Sequence, residues 1–303
     1  MSILAVGSIA FDSVETPFGK AEDVLGGSAT YFSVAASFFT SVNLVAVVGE
    51  DFPAEHLEFL QQRWINTAGV TRTSGRTFRW KGSYGFDLNE ATTLDTQLNV
   101  LTDFDPQIPE HYRDAKYVFL GNIDPELQLK VLTQVVRPQI VACDSMNFWI
   151  EGKRDALLNT LKYVDILLIN EAEVRQLAQE PNMVKAAHKV LAMGPTTLVV
   201  KQGEYGSVMF TAHSVFSAPA YPLESVFDPT GAGDSFAGGF MGYLSSTNNV
   251  SDEAVRQAIV FGSVLASFNV EEFSLERMRS LDIEQIRHRY RKFQLLTEFK
   301  GVD

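Results

Sequence analysis

The chain has 303 residues, 46% of them hydrophobic and 20% charged, which supplies a packed core without disulfide staples at a length near the limit for one core. A formal net charge of -12 gives a surface that repels phosphate backbones and anionic lipid, which excludes nucleic acid and membrane as first partners. One cysteine, Cys143, cannot close an intramolecular disulfide, and no basic segment leading into an apolar one opens the chain. A cytoplasmic enzyme is the expectation.

In chain order, residues 3–6 and 44–48 are short unbroken apolar runs. Residues 53–64 then read as a helix, with Pro53 in its first turn and Leu57, Leu60 and Trp64 on one stripe. The alternation continues with apolar runs at 117–120, 140–142, 166–169 and 198–200, and helical stretches at 125–136, 153–163 and 171–179. Unbroken apolar runs predict strands covered on both faces, as in a parallel sheet. Strands alternating with helices predict a doubly wound α/β fold.

Two segments interrupt this rhythm. Residues 11–24 are turn-rich, and residues 72–101 carry period-two patterning at 77–81 and 94–101. Antiparallel strands with one wet face are expected there, forming a small β flap over the ligand edge of the sheet. The basic stretch 287–293 reads as a helix with a solvated face.

The chemistry concentrates in Asp228-Pro229-Thr230-Gly231-Ala232-Gly233-Asp234-Ser235-Phe236. Phe236, Phe240 and Leu244 fall on one helical stripe, so a helix begins near Gly233. Glycines let a ligand approach the backbone. The first helical turn offers N–H groups and about half a positive charge to phosphoryl oxygens. Asp234, just inside that turn, is placed to take a proton beside those oxygens. As a plain structural element the same run would be a tight turn capped by Asp234.

This run resembles the second signature of the ribokinase family of carbohydrate and nucleoside kinases, and the similarity extends over nearly the whole chain. Residues 7–12, ending in Asp12, are similar to the family's opening strand. Gly26-Gly27-Ser28-Ala29-Thr30-Tyr31 is similar to its first glycine motif, Val48-Gly49-Glu50-Asp51 to the strand end that follows, Asn170-Glu171-Ala172-Glu173 to its Asn-x-x-Glu element, and Lys201-Gln202-Gly203-Glu204-Tyr205-Gly206 to its nucleotide-side turn. The resemblance implies a three-layer α/β/α sandwich with a mostly parallel sheet, one kinase domain over residues 1–303, and a lid built from about 11–24 and 72–101. It implies transfer of the γ-phosphoryl of ATP to an alcohol, with Asp234 as base and Gly231, Ala232 and Gly233 around the transferred group. Asp12, Gly26, Gly27 and Tyr31 would bind the acceptor, although Tyr31 stands where many relatives have Asn. Asn170, Glu173, Lys201, Gly203, Gly206 and Thr230 would face the nucleotide. Glu173 would hold Mg2+ through water, and Asp228 with Thr230 would contribute to a monovalent-cation site, such as K+. The C-terminal segment 269–274 lacks the small residues common there, which leaves the adenine side unassigned.

There is no Gly-x-x-x-x-Gly-Lys-Ser/Thr and no Gly-x-Ser-x-Gly, and the five histidines lack metal-ligand spacing. A carbohydrate ranks first as acceptor and a nucleoside second. Phe11, Tyr31, Phe78, Trp80 and Tyr84 offer faces for a base, while Arg72, Arg76, Arg79 and Lys81 suit an anionic acceptor. A non-catalytic ligand-binding or regulatory protein on the same fold is the alternative from another class. A homodimer through the apolar face of the lid is a further expectation.

Overall fold

The computed structural model describes residues 1–298; residues 299–303, the end of the expected domain, lie outside that description. The chain opens with β1 (Ile3–Val6), β2 (Ala10–Thr16) and β3 (Gly19–Gly26), then enters α1 (Ser28–Ala36). Next come β4 (Val42–Val48), α2 (Ala54–Gln62), β5 (Ile65–Arg72) and the hairpin of β6 (Phe78–Tyr84) and β7 (Ala91–Gln97). The middle of the chain runs through β8 (Tyr117–Leu120), α3 (Pro125–Leu132), β9 (Ile140–Cys143), α4 (Asn147–Gly152), α5 (Arg154–Leu161), β10 (Ile166–Asn170), α6 (Glu171–Ala178) and α7 (Met183–Leu191). It closes with β11 (Thr197–Lys201), β12 (Ser207–Thr211), β13 (Val215–Ala218), α8 (Ala232–Thr247), α9 (Asp252–Asn269), α10 (Glu276–Ser280) and α11 (Ile283–Thr297).

Nine strands form the main sheet in the order β13-β12-β11-β10-β9-β8-β1-β4-β5. All neighbours from β5 to β11 pair in parallel, and β12 and β13 add an antiparallel edge. Period-two alternation sends successive side chains into different layers. Ile3 and Ala5 join one apolar core with Phe32, Phe240 and Ile259, whereas Leu4 and Val6 join another with Leu157, Val174 and Val190. Phe32 of α1 stacks on Phe119 of β8 with ring centroids 3.8 Å apart. The result is the expected three-layer α/β/α sandwich with a mostly parallel sheet.

A second sheet of four strands has the order β3-β2-β6-β7. It contains both interrupting segments, and β2 and β6 run parallel while the outer pairs are antiparallel. All of β7 is exposed.

Two local expectations are corrected. Trp64 adopts a left-handed backbone (φ 61), so α2 ends before it. The helix expected over 125–136 stops at Leu132, and Arg137 turns the chain with φ 49. The basic helix near the C-terminus has its expected solvated face, with Arg287, Arg291 and Lys292 exposed, and a packed face opposite. Ile286 and Phe293 of α11 are buried. Arg289 inserts between Phe268 and Tyr221, 3.4 and 4.6 Å from their ring centroids, and donates to Glu271 at 2.6 Å.

Candidate active site

The expected site residues lie where the main sheet's carboxyl edge meets the small sheet. Gly231 starts α8 in a left-handed conformation (φ 73) with no side-chain cap. A Cβ there would sit 2.3 Å from the Tyr31 ring, so glycine is required both by the backbone and by Tyr31. Ala232, Gly233 and Asp234 form the first turn of α8. The N–H of Ala232 is spent on the carbonyl of Pro229 at 3.1 Å, so Ala232 shapes the turn without offering a free donor, contrary to expectation. Asp234 accepts no capping hydrogen bond, which leaves the plain capping role without support.

The turn is braced from below. Asp228 Oδ1 accepts the N–H of Thr230 at 2.9 Å, and Oδ2 accepts that of Ser274 at 3.0 Å. Buried Asn269, the last residue of α9, donates to the Thr230 carbonyl at 2.8 Å and accepts from Ser235 Oγ at 3.0 Å. Sequence reasoning missed Asn269 and Ser274, whose only signal was an atypical loop after α9. The first assigned role of Asp228 is therefore to tie two loops.

Asp12 lies on β2, in the small sheet, and not at the end of one opening strand over residues 7–12 as expected. The chain turns at residues 7–9, and Gly27 (φ 94) fits against it: a Cβ would meet the Ser8 carbonyl oxygen at 2.6 Å. Gly26 also packs closely, since a Cβ would stand 1.9 Å from Asp12 Oδ2. Asp12 is 4% exposed. Burial first, then Asp228 and Asp234, push its pKa up to about 7, against the Gly27 N–H and Tyr31 hydroxyl. The Tyr31 hydroxyl faces this carboxyl yet has no partner with hydrogen-bond geometry. Trp80 is the cross-strand neighbour of Asp12. Phe78, Trp80 and Tyr84 share one face of β6 by period two, and the Thr230 hydroxyl donates to Tyr84 Oη at 3.3 Å.

A third group of residues comes from neighbouring strands. Asn170 and Lys201 are register partners across β10 and β11. Asn170 caps α6 in a reciprocal pair with Glu173: each side chain accepts the other's backbone N–H at 2.8 Å. Lys201 donates to Asp144 Oδ2 at 2.8 Å, and its Nζ lies 3.0 Å from where a Gly233 Cβ would stand. Burial opposes the Lys201 charge, but Asp144, Glu173 and Asp234 together hold its pKa above the ordinary lysine value. Asp234 is pushed up to about 7 by burial, Asp144 and Glu173, against Lys201. Glu173 is pushed up to about 7 by burial and Asp144, against Lys201 and the Asn170 N–H. Asp144, just beyond β9, was not foreseen, because an Asp after an apolar run carries no motif.

Gly203 begins a short turn (Gly203–Tyr205) after β11, and Gly206 (φ 100) leads into β12. The tip of the β6–β7 hairpin reaches this turn: Asn89 Oδ1 accepts the Glu204 N–H at 3.2 Å, and its Nδ2 donates to Glu204 Oε1 at 3.3 Å. One edge thus gathers a helix N-terminus, an unpaired carboxyl beside it, an ammonium behind it and a second buried carboxyl across from it. Donors for developing charge and a base for a hydroxyl are what phosphoryl transfer requires.

That chemistry places the chain among ATP-dependent kinases of small sugar or nucleoside alcohols. It belongs to the pfkB family of carbohydrate kinases, whose model matches residues 3–279. It is 29% identical over 262 residues to a cytidine kinase of Thermococcus kodakarensis, covering 84% of this chain and 92% of that protein. Its fold is similar to a nucleoside kinase of Burkholderia thailandensis solved with inosine (TM-score 0.75, 16% identity, 99% and 100% of the chains). It is also similar to an E. coli protein assigned as ribokinase II and solved with ATP and Mg2+ (TM-score 0.78, 16% identity, 96% and 99%).

Proposed function

We propose that this kinase phosphorylates a nucleoside, with Asp234 taking the proton of the attacking hydroxyl. The observation that carries the nucleoside reading is the register of β2 and β6, which sets Trp80 beside Asp12 on one face. A buried carboxylate suits a ribose diol, and an indole beside it suits a base. The cytidine kinase among the relatives supports the same choice, which moves the nucleoside ahead of the carbohydrate.

Asp12, Gly26, Gly27 and Tyr31 would line the acceptor side. Lys201, Gly203, Gly206, Asn170 and Thr230 would line the nucleotide side. Asp144, Glu173 and Asp234 surround a single ammonium, so the nucleotide side carries surplus negative charge that a divalent cation would relieve. Among the described residues no three His, Cys, Asp or Glu side chains group as a metal site. Mg2+ would therefore be held chiefly by phosphates and water, with Glu173 behind them; bound there, it would offset phosphate charge. K+ at Asp228 has weaker support, since both its oxygens already accept backbone N–H groups. The β3-β2-β6-β7 sheet would close as a lid that excludes water, and the exposed β7 edge is where a second copy would pair. No helix among the described residues is long and apolar enough to cross a membrane.

The test is ATP consumption with Mg2+ against cytidine, adenosine, inosine, ribose, fructose and myo-inositol. Turnover should be highest with a nucleoside. Preference for a free sugar would overturn the nucleoside reading. A folded protein inert toward the whole panel would favour the non-catalytic alternative.

A further inference from the structure

We propose that Lys201 is a catalytic residue that contacts the transferred phosphoryl group, and that Asp144 is the positioning residue that holds it there. This rests on reading Gly231–Asp234 as the phosphoryl-transfer turn. Lys201 Nζ stands against the open side of Gly233, 3.0 Å from the Cβ position. An oxygen received by the first turn of α8 would meet this ammonium at the same place. A side chain at residue 233 would press on this ammonium.

Asp144 is itself fixed. Its N–H donates to the Leu120 carbonyl at 2.9 Å, and its own carbonyl accepts from buried Gln128 at 3.0 Å. Its Oδ1 accepts the Ser145 N–H at 2.8 Å, which leaves Oδ2 for Lys201 at 2.8 Å. Lysine is a flexible point charge on a long stem. A rigid carboxylate at its tip removes the freedom that would otherwise be lost on meeting the phosphate.

During transfer the acceptor oxygen bonds to the γ-phosphorus as the bond from that phosphorus to the β–γ bridging oxygen breaks. ADP leaves with the electron pair, and the hydroxyl proton passes to Asp234. Lys201 takes up no proton in this scheme. It donates hydrogen bonds to the non-bridging oxygens, whose charge would otherwise repel the attacking hydroxyl and the Asp234 carboxylate.

The test compares binding of the Mg2+ complexes of AMP-PNP and ADP by calorimetry, so it needs no acceptor. Lys201→Met should lose about 10- to 100-fold in AMP-PNP affinity, the range of a charge-assisted hydrogen bond, with little change for ADP. Lys201→Arg should recover part of the loss, and Asp144→Asn should show a smaller loss of the same kind. Lys201→Met alone leaves the Asp144 charge stranded. The Lys201→Met/Asp144→Asn double variant removes that charge and should match Lys201→Met within about twofold, since Asp144 acts through Lys201. Equal weakening of both nucleotides, no weakening of either, or multiplicative losses in the double variant would overturn the proposal. Gly233→Val separates the two readings. If it abolishes the AMP-PNP preference while Lys201→Met does not, only the Lys201 role falls; if neither does, the turn itself is misassigned.

Discussion

Tyr84 on β6 meets Thr230, just before α8, through their hydroxyls, 3.3 Å apart. The Tyr84 hydroxyl is buried enough that its pKa is pushed up to about 12, by burial first and then by Asp228, Asp12 and Asp234, against the Thr230 hydrogen bond. Tyr84→Phe should keep the ring packing and remove the link. The acceptor KM should rise by about threefold to tenfold, the worth of one neutral hydrogen bond, with the melting temperature nearly unchanged. Steady-state kinetics with unchanged KM would show that the lid closes without this link.

As the proposed base, Asp234 must be ionised, and burial with Asp144 and Glu173 pushes its pKa up to about 7. Turnover should therefore fall as pH drops through about 7. Asp144, Glu173 and Lys201 are the charged groups that set this value. Removing Lys201 takes away the one favourable charge, so Lys201→Met should move the acid limb to higher pH. Asp144→Asn should move it to lower pH. A pH–rate profile in which both variants shift the same way would contradict this arrangement. Asp234→Asn itself should lower kcat by at least about 100-fold while leaving nucleotide binding intact.

The same carboxyls link folding to pH. Asp12, Glu173 and Asp234 titrate near 7 in the folded chain, against about 4 for exposed carboxyls. Their folded-state values are raised, so the protonated forms favour the fold. That contribution is complete below about pH 4 and is lost as pH rises through about 7. The ligand-free protein should melt at a lower temperature at about pH 8.5 than at about pH 5.5, and Mg2+ with ATP should narrow the gap. A melting temperature that climbs across this window would contradict the burial of these groups.

Much of this was legible in the chain. Unbroken runs such as Ile3–Val6 and Tyr117–Leu120 announce buried strands because both faces are covered by helices. The glycine run at 231–233 announces a helix start because few other uses need so little side chain. What stayed hidden depends on contacts between distant segments. Asp144 and Lys201 are joined across β9, β10 and β11, and neither neighbourhood alone shows the other. Asn89 meets Glu204 through a hairpin tip whose reach no periodicity encodes. Arg289 looks like a solvated charge until Phe268 and Tyr221 close on it. Asp12 sits on β2 rather than at the end of one opening strand, since a three-residue turn separates β1 from β2 and no composition signal marks it.

Among the described residues the buried Tyr31 hydroxyl finds no partner with good hydrogen-bond geometry, although it faces the Asp12 carboxyl. An unmet buried hydroxyl costs about 1–3 kcal/mol. Tyr31→Phe should therefore raise stability in denaturant melts while weakening the acceptor that the hydroxyl would meet. Loss of stability in Tyr31→Phe would mean the hydroxyl is satisfied without substrate.

Ser274 joins the two halves of the site: its N–H reaches Asp228, and its hydroxyl donates to the Leu25 carbonyl at 2.6 Å, next to Gly26. Thr16 adds a second anchor, donating to the Phe227 carbonyl at 2.9 Å. The β2–β3 half of the small sheet is thus anchored beside the turn before α8 by Ser274 and Thr16, whereas the β6–β7 hairpin reaches that turn through Tyr84 and the 203–205 turn through Asn89. If the β6–β7 hairpin selects the acceptor as proposed, exchanging residues 78–97 for another hairpin should change acceptor preference while the Ser274 and Thr16 contacts stay in place.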